Sequence, residues 1–157
     1  MQKITTVLWF DDRAEEAAAF YTSLLPNSRI TRTTRYGEAG LRPAGSVMTV
    51  EFELAGREYT ALNGGPEFHF TEAISLQVEC EDQQEVDALW AGLTADGGQP
   101  GPCGWLKDRY GLSWQITPRV LLDLVAGEDR AKADRVFAAM LRMQKIEIRP
   151  LLAAAGG

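Results

Sequence analysis

Residues 4–26 read ITTVLWFDDRAEEAAAFYTSLLP and decide the fold. The β-branched and aromatic run from Ile4 to Phe10 predicts a strand. Asp12 follows this run and Glu15 stands three positions later, a spacing that predicts a capped helix start. Pro26 ends the helix. Apolar side chains recur through it every three or four residues and therefore share a face that packs on a sheet: Ala17, Phe20, Tyr21, Leu24 and Leu25.

Three further strands complete the first half of the chain. Arg29 to Tyr36, Val47 to Leu54 and Arg57 to Asn63 are strand-like and are separated by turns that contain glycine. The sequence NGGP at 63–66 then reverses the chain. The first half is therefore predicted to have the order βαβββ.

The second half repeats this order. A strand from Ala73 to Glu79 precedes Asp82 and Glu85, which repeat the first helix cap 70 residues later. The strands that follow are predicted at Gln99 to Cys103, Trp105 to Lys107 and Leu112 to Thr117. We therefore predict an α+β fold in one domain, 1–157, with βαβββ modules at about 1–64 and 72–118 and C-terminal helices at about 119–150.

The C-terminal extension is predicted to contain two helical pieces. The better one carries an apolar face that packs on the sheet or docks a second subunit: Ala133, Val136, Phe137, Met140 and Leu141. A homodimer follows from the second alternative. The last residues, Leu151 to Gly157, are predicted to fray.

Composition excludes several classes of partner. The formal charge is −6 and the basic residues are scattered, so we expect no nucleic-acid partner. No apolar run approaches the roughly 20 residues that span a bilayer, and no secretory signal is recognised, so we expect a cytoplasmic protein without a membrane partner.

Strand alternation predicts a ligand-binding face. In the strand from Ala73, Ile74, Leu76 and Val78 form an apolar set opposite Ser75 and Gln77. The last strand repeats this split, with an apolar set (Leu112, Trp114, Ile116) and a polar set (Ser113, Gln115, Thr117). The apolar sets should meet the helices. The polar sets lack Lys and Glu, which favours a semi-enclosed cavity over an open surface.

The cysteines and the single histidine give weaker signals. Cys80 and Cys103 lack the spacing of a metal or redox motif and are interpreted as free thiols, with Cys103 at a possible pocket rim. His69 lies in the linker between Phe68 and Phe70, where a local hydrogen bond or a ligand contact is possible.

Several stretches resemble one family: LWFD (8–11), EA (16–17), FY (20–21), NGGP (63–66) and, most specifically, CGWLKDRYGLSWQI (103–116), with Met140, Met143, Lys145 and Ile146 in the tail. The chain resembles the PhnB-like branch of the vicinal oxygen chelate superfamily. The superfamily includes glyoxalases and bleomycin-resistance proteins, and this branch is often labelled 3-demethylubiquinone-9 3-methyltransferase. The resemblance implies two modules that form a concave half-barrel mixed sheet, usually within a dimer.

In metal-dependent relatives, four inward residues hold a divalent ion. The resemblance places these positions at Thr6, Tyr59 (or Ala61), Ala73 and Gln115, and none is a good ligand. We therefore predict no metal and no cofactor. The methyltransferase label implies S-adenosylmethionine, but no glycine-rich turn follows a strand.

The sequence thus favours a metal-independent protein that binds a small-molecule ligand. The predicted pocket residues are Thr6, Tyr59, Asn63, Ser75, Gln77, Trp105, Ser113 and Gln115. One alternative is a glyoxalase-like lyase, isomerase or dioxygenase with a non-standard metal site. A methyltransferase is the third hypothesis.

Overall fold

The computed structural model describes residues 2–156, and the chain divides into two compact units between His69 and Phe70. The predicted α+β class and the two βαβββ modules are confirmed. The strands are β1 (Thr6–Phe10), β2 (Arg29–Arg35), β3 (Val47–Leu54), β4 (Arg57–Asn63), β5 (Ser75–Cys80), β6 (Gln99–Pro100), β7 (Trp105–Lys107) and β8 (Ser113–Pro118). The helices are α1 (Ala14–Leu24), α2 (Gln83–Thr94), α3 (Arg119–Ala126), α4 (Arg130–Met140) and α5 (Ile148–Gly156).

The first unit forms an open sheet in the order β1-β4-β3-β2. β1 runs parallel to β4, and the other neighbours are antiparallel. One face is covered by α1, whose Tyr21 ring lies 6.3 Å from the ring of Phe52 on β3. Small residues on α1 (Ala14, Ala17 and Ala18) are fully buried, so the helix lies close to the strands.

The predicted Asp12 cap of α1 is wrong. The helix begins after Arg13, and no side chain of the preceding residue caps it. The Oδ1 atom of Asn63 accepts a hydrogen bond of 2.8 Å from the backbone N–H of Ala14 instead. The end of β4 therefore caps α1 across 49 residues of sequence.

The second unit repeats the architecture with the order β5-β8-β7-β6 and a parallel β5–β8 pair. The predicted cap of α2 is confirmed. Asp82 Oδ1 accepts from the Glu85 N–H at 2.9 Å, and Glu85 Oε2 accepts from the Glu81 N–H at 2.7 Å. This reciprocal pair satisfies two donors at the start of the helix.

Most predicted strands agree with the structure, with two differences in the second unit. Ile74 precedes β5 and is 68% exposed, so its predicted place in the core is wrong. The strand predicted to reach Cys103 stops at Pro100, because Cys103 and Gly104 both have positive φ and turn the chain.

The C-terminal extension contains three helices instead of two. Their shared core consists of Leu121, Val136, Ile146 and Leu151, all buried. The predicted fraying from Leu151 is wrong for the residues up to 156, because α5 continues to Gly156 and the Leu151 side chain is fully buried. Arg135 also donates to the Ala154 carbonyl at 3.0 Å. Gly157 lies outside the described residues.

Candidate functional site

The polar sides of β5, β7 and β8 form one continuous face in the second unit, opposite the face covered by α2. The strand register pairs Gln77 with Gln115, Trp105 with Gln115, and Ser75 with Ser113. Because residues paired across neighbouring strands point to the same side, the structure brings together five of the predicted pocket residues: Ser75, Gln77, Trp105, Ser113 and Gln115. The apolar residues Leu112, Trp114 and Ile116 are buried.

A cavity of about 350 Å³ lies between this polar face and helices α3 and α4. Gln77, Gln115 and Thr117 form its polar side. Its apolar side comes from the helices: Leu121, Leu122, Val125, Ala126, Phe137 and Met140. A few amides and hydroxyls facing an apolar wall are typical of small-molecule pockets, in which the polar groups set the orientation of the ligand.

A second cavity, of about 510 Å³, lies at the outer end of the same face. It is lined by Glu72, Gln99, Pro100, Gly101, Pro102, Cys103, Trp105, Leu106, Lys107 and Ser113. Trp105 and Cys103 border both cavities. The Oγ atom of Ser113 is buried and has no hydrogen-bond partner within the described residues, a situation that costs about 1–3 kcal/mol.

Gln115 is oriented by a neighbour on the adjacent strand. Its Nε2 atom donates to Ser75 Oγ at 2.9 Å, so its side-chain oxygen is free to turn toward the cavity. At the rim of the larger cavity, Lys107 pairs with Glu72. The hydrogen bond from Lys107 lowers the pKa of the Glu72 carboxyl. The two opposite charges offset each other, so the lining of this cavity carries little net charge.

The loop between the cavities is fixed by the C-terminal extension. The N–H groups of Cys103 and Gly104 donate to the carbonyls of Met143 and Gln144 at 2.8 and 2.7 Å. A Cβ on Gly104 would lie 2.9 Å from Ile146 Cγ1 and 3.0 Å from a backbone oxygen, so glycine is required there. Residues 143–146 thereby position one border of each cavity.

The three predicted pocket residues of the first unit lie apart from these two cavities. Thr6, Tyr59 and Asn63 lie on the side of the sheet that faces α1, because Tyr59 is paired with buried Phe52 and with Thr6. Tyr59 stacks on Phe52 with a centroid distance of 5.6 Å, and burial raises its pKa. Asn63 uses both polar atoms of its amide on backbone groups, those of Ala14 and Val47.

The opposite face of the first sheet contains the residues that alternate with these three. A hollow of about 200 Å³ beside this sheet is lined by residues from both of its sides: Thr5, Thr31, Glu51, Phe52, Glu58, Tyr59 and Thr60. Glu51 is paired with Arg32 through a two-point ion pair. Polar residues occur on both sides of β4, so alternation in this strand does not identify the ligand side.

The residues at the implied metal positions do not fit a divalent ion. Thr6, Tyr59 (or Ala61), Ala73 and Gln115 offer no carboxylate and no imidazole. Over residues 2–156, no three His, Cys, Asp or Glu side chains are grouped as metal ligands. A neutral amide and a hydroxyl cannot offset the dehydration of a divalent cation, so no step is assigned to a metal at these positions.

The structure separates the two thiols. Cys80 is fully buried at the end of β5, and desolvation together with nearby Glu85, Asp82 and Glu81 raises its pKa to about 12. Cys103 is partly exposed on the rim shared by the two cavities. His69 is exposed in the linker and borders neither of these cavities.

Native protein at pH 8 should therefore consume about one equivalent of a thiol reagent such as DTNB, and about two after unfolding in urea. The pKa of Cys80 leaves almost no thiolate at this pH. The Cys103→Ser variant is the control, and its native form should consume none. Rapid reaction of the native Cys103→Ser protein would show that Cys80 is accessible and contradict the prediction.

Several cavity residues were not identified from the sequence. Thr117 was placed on the polar side of the last strand but not in the pocket, and Cys103 only at a possible rim. The sequence assigns Phe137 and Met140 to a face that packs on the sheet or docks a second subunit, and it does not single out Leu121 or Val125. The sequence signal for this apolar cavity wall is the composition of α3. This helix has more apolar residues than one helix face can bury against a single neighbour.

Comparisons with known proteins agree with this architecture. The profile of the family described as 3-demethylubiquinone-9 3-methyltransferase matches residues 2–117. A Bacillus cereus structure described as a PhnB protein is 40% identical, with a TM-score of 0.67, over 74% of this chain and 99% of that one. A Pseudomonas aeruginosa structure is 18% identical, with a TM-score of 0.61, over 75% of this chain and 98% of that one, and supports the fold alone.

A comparison with curated proteins found no match. Among the described helices, none is long and apolar enough to cross a membrane.

Proposed function

Because the chain belongs to the 3-demethylubiquinone-9 3-methyltransferase family, in its PhnB-like branch, we propose that it is a metal-independent binding protein for a small organic molecule. The ligand lies on the polar face of the second unit, against Ser75, Gln77, Trp105, Ser113 and Gln115. The observation that carries this proposal is the cavity of about 350 Å³ between Gln77, Gln115 and the apolar residues of α3 and α4.

The α3 and α4 side of this cavity supports a role for the C-terminal extension in ligand selection. The match to the family profile ends at residue 117, whereas the apolar wall begins at Leu121. In this proposal the shared module provides the amides and hydroxyls, and the extension shapes the space in front of them.

A chelate enzyme is the competing function. A lyase, isomerase or dioxygenase of this kind needs an ion to polarise substrate oxygens. Elemental analysis of the untagged protein separates the two functions. No bound divalent ion, together with a co-purifying organic molecule in native mass spectrometry, is the expected result. About one equivalent of a divalent ion would overturn metal-independent binding.

The family description also suggests a methyltransferase. S-adenosylmethionine is commonly held where a glycine-rich turn follows the first strand of a parallel sheet. Each sheet here has one parallel pair, and no such turn follows β1 or β5. A calorimetric titration with S-adenosylmethionine should therefore give no binding heat, and micromolar affinity would favour the methyltransferase.

We also propose a cytoplasmic homodimer. The free thiols of Cys80 and Cys103 suit a reducing compartment. Phe137 and Leu141 on and after α4 are 45% and 56% exposed, and burying them against a second copy would remove apolar surface from water. Sedimentation equilibrium tests the assembly, and a monomer at micromolar concentration would contradict it.

The Gln115→Ala variant tests the site itself. It should weaken binding of the co-purifying molecule by roughly tenfold, because a hydrogen bond to ligand is lost. The melting temperature should change little, since the hydrogen bond lost from the Gln115 side chain is the partly buried one to Ser75. Gln84→Ala on the exposed side of α2 is the matched control. A collapse in stability with Gln115→Ala would assign Gln115 a structural role instead.

A further inference from the structure

Ser113 is one of the residues that line the larger cavity, and its hydroxyl is unusual. Its side chain is only 1% exposed, and its Oγ atom has no hydrogen-bond partner within residues 2–156. Its neighbour across the strand pair, Ser75, is in contrast bonded to Gln115. A buried hydroxyl without a partner is destabilising, so folding alone does not explain a serine at this position.

The surroundings of Ser113 favour an apolar molecule. Pro100, Pro102, Trp105 and Leu106 line the cavity, whose volume of about 510 Å³ lies within the usual range for small-molecule sites. Proline rings and an indole are rigid surfaces that bind flat hydrocarbon groups at a small cost in entropy.

The charges around the cavity favour a neutral molecule. Glu72 and Lys107 are the charged residues of the described lining, and they form an ion pair with each other. An anion or a cation would have to compete with this internal pair. A neutral oxygen reaching Ser113 does not disturb it.

We propose that this cavity binds a neutral, largely apolar ligand, and that one hydroxyl or carbonyl oxygen of the ligand hydrogen-bonds to Ser113 Oγ, which turns from its buried position toward the cavity. This inference rests on the proposed binding function and specifies its ligand. Trp105 borders both cavities, so the same molecule extends past its indole and places a second polar group at Gln77 and Gln115. The ligand class is therefore a phenol-like or alcohol-bearing molecule with a polar substituent at its other end.

Phenol and toluene form a matched pair of probes, since they differ in one hydroxyl group. Binding is followed by ¹H–¹⁵N NMR, with the indole signal of Trp105 assigned from Trp105→Phe. We expect phenol to bind the native protein at least roughly tenfold more tightly than toluene and to shift the Trp105 signal. In Ser113→Ala the preference should fall to about threefold or less.

Stability and a control variant separate this role from a structural one. Ser113→Ala removes no hydrogen bond, so its melting temperature should be unchanged or higher. Ser23→Ala, on the exposed side of α1, should keep the phenol preference. Equal binding of both probes to the native protein would mean that a water satisfies Ser113 and would overturn the proposal, as would a preference that survives in Ser113→Ala.

Failure of this inference is distinguishable from failure of the proposed function. If neither probe binds at millimolar concentration while Gln115→Ala still releases the co-purifying molecule, the Ser113 cavity is not a ligand site and the binding function stands. The opposite outcome is also possible to recognise: the native protein carries no co-purifying molecule, Gln115→Ala does not change ligand binding, and phenol still binds through Ser113. The larger cavity is then a binding site, and the proposed function at Gln77 and Gln115 fails.

Discussion

Asp108→Ala should lower the free energy of unfolding by about 4 kcal/mol, because it removes a buried carboxylate that accepts three hydrogen bonds. The Asp108 carboxylate is 2% exposed and closes the turn between β7 and β8. Oδ1 accepts from the N–H groups of Tyr110 and Leu112 at 2.8 and 3.1 Å. Oδ2 accepts from the indole N–H of Trp114 at 2.9 Å. The alanine variant leaves this buried indole donor without its partner.

Urea denaturation measures this effect, and a double-mutant cycle isolates its largest part. Trp114→Phe removes the indole donor, so the combined Asp108→Ala, Trp114→Phe variant should lose less than the sum of the single variants, with a coupling of about 1–3 kcal/mol. Asp108→Asn keeps the shape but places one neutral acceptor against three donors, so we expect an intermediate loss. If the losses of the two single variants simply added in the double variant, the hydrogen bond between the Trp114 indole and Asp108 would be contradicted.

The repeat of the two modules was predictable from sequence because each module carries its own local signals. The Asp82 and Glu85 pair caps α2 through contacts three and four residues apart, which a sequence pattern can represent. The equivalent prediction for Asp12 was wrong because Asn63 supplies the cap from the end of β4. A side chain 49 residues away has no signature near the helix that it caps.

The candidate site was predictable for one sheet only. In β8 the apolar and polar residues alternate in sequence, so the side of this strand that lines the candidate cavity could be predicted. In β4 the polar residues Tyr59 and Asn63 lie on the helix side, where a stacked ring and a capping amide satisfy them. The apolar wall from α3 and α4 depends on how these helices dock, which periodicity does not specify.

Ile146→Ala should lower the free energy of unfolding by about 3 kcal/mol and should also open the cavity between β8 and the helices. The Ile146 side chain is fully buried in the core shared by Leu121, Val136 and Leu151, and it lies on Gly104. Its backbone carbonyl accepts from Gln83 Nε2 at 2.9 Å, which joins the extension to α2. Truncation removes the packing that holds α3 and α4 over Gln115.

Two readouts distinguish a loosened wall from a general loss of stability. Ile146→Val keeps most of the packing and should cost about 0.5–1.5 kcal/mol, with little change in binding. In Ile146→Ala, Cys103 should react faster with thiol reagents under native conditions, because the Ile146 side chain packs against the neighbouring Gly104. If Cys103 reactivity and ligand affinity stay at native values while stability falls, then Ile146 supports the helices without shaping the cavity, and ligand selection belongs to the sheet alone.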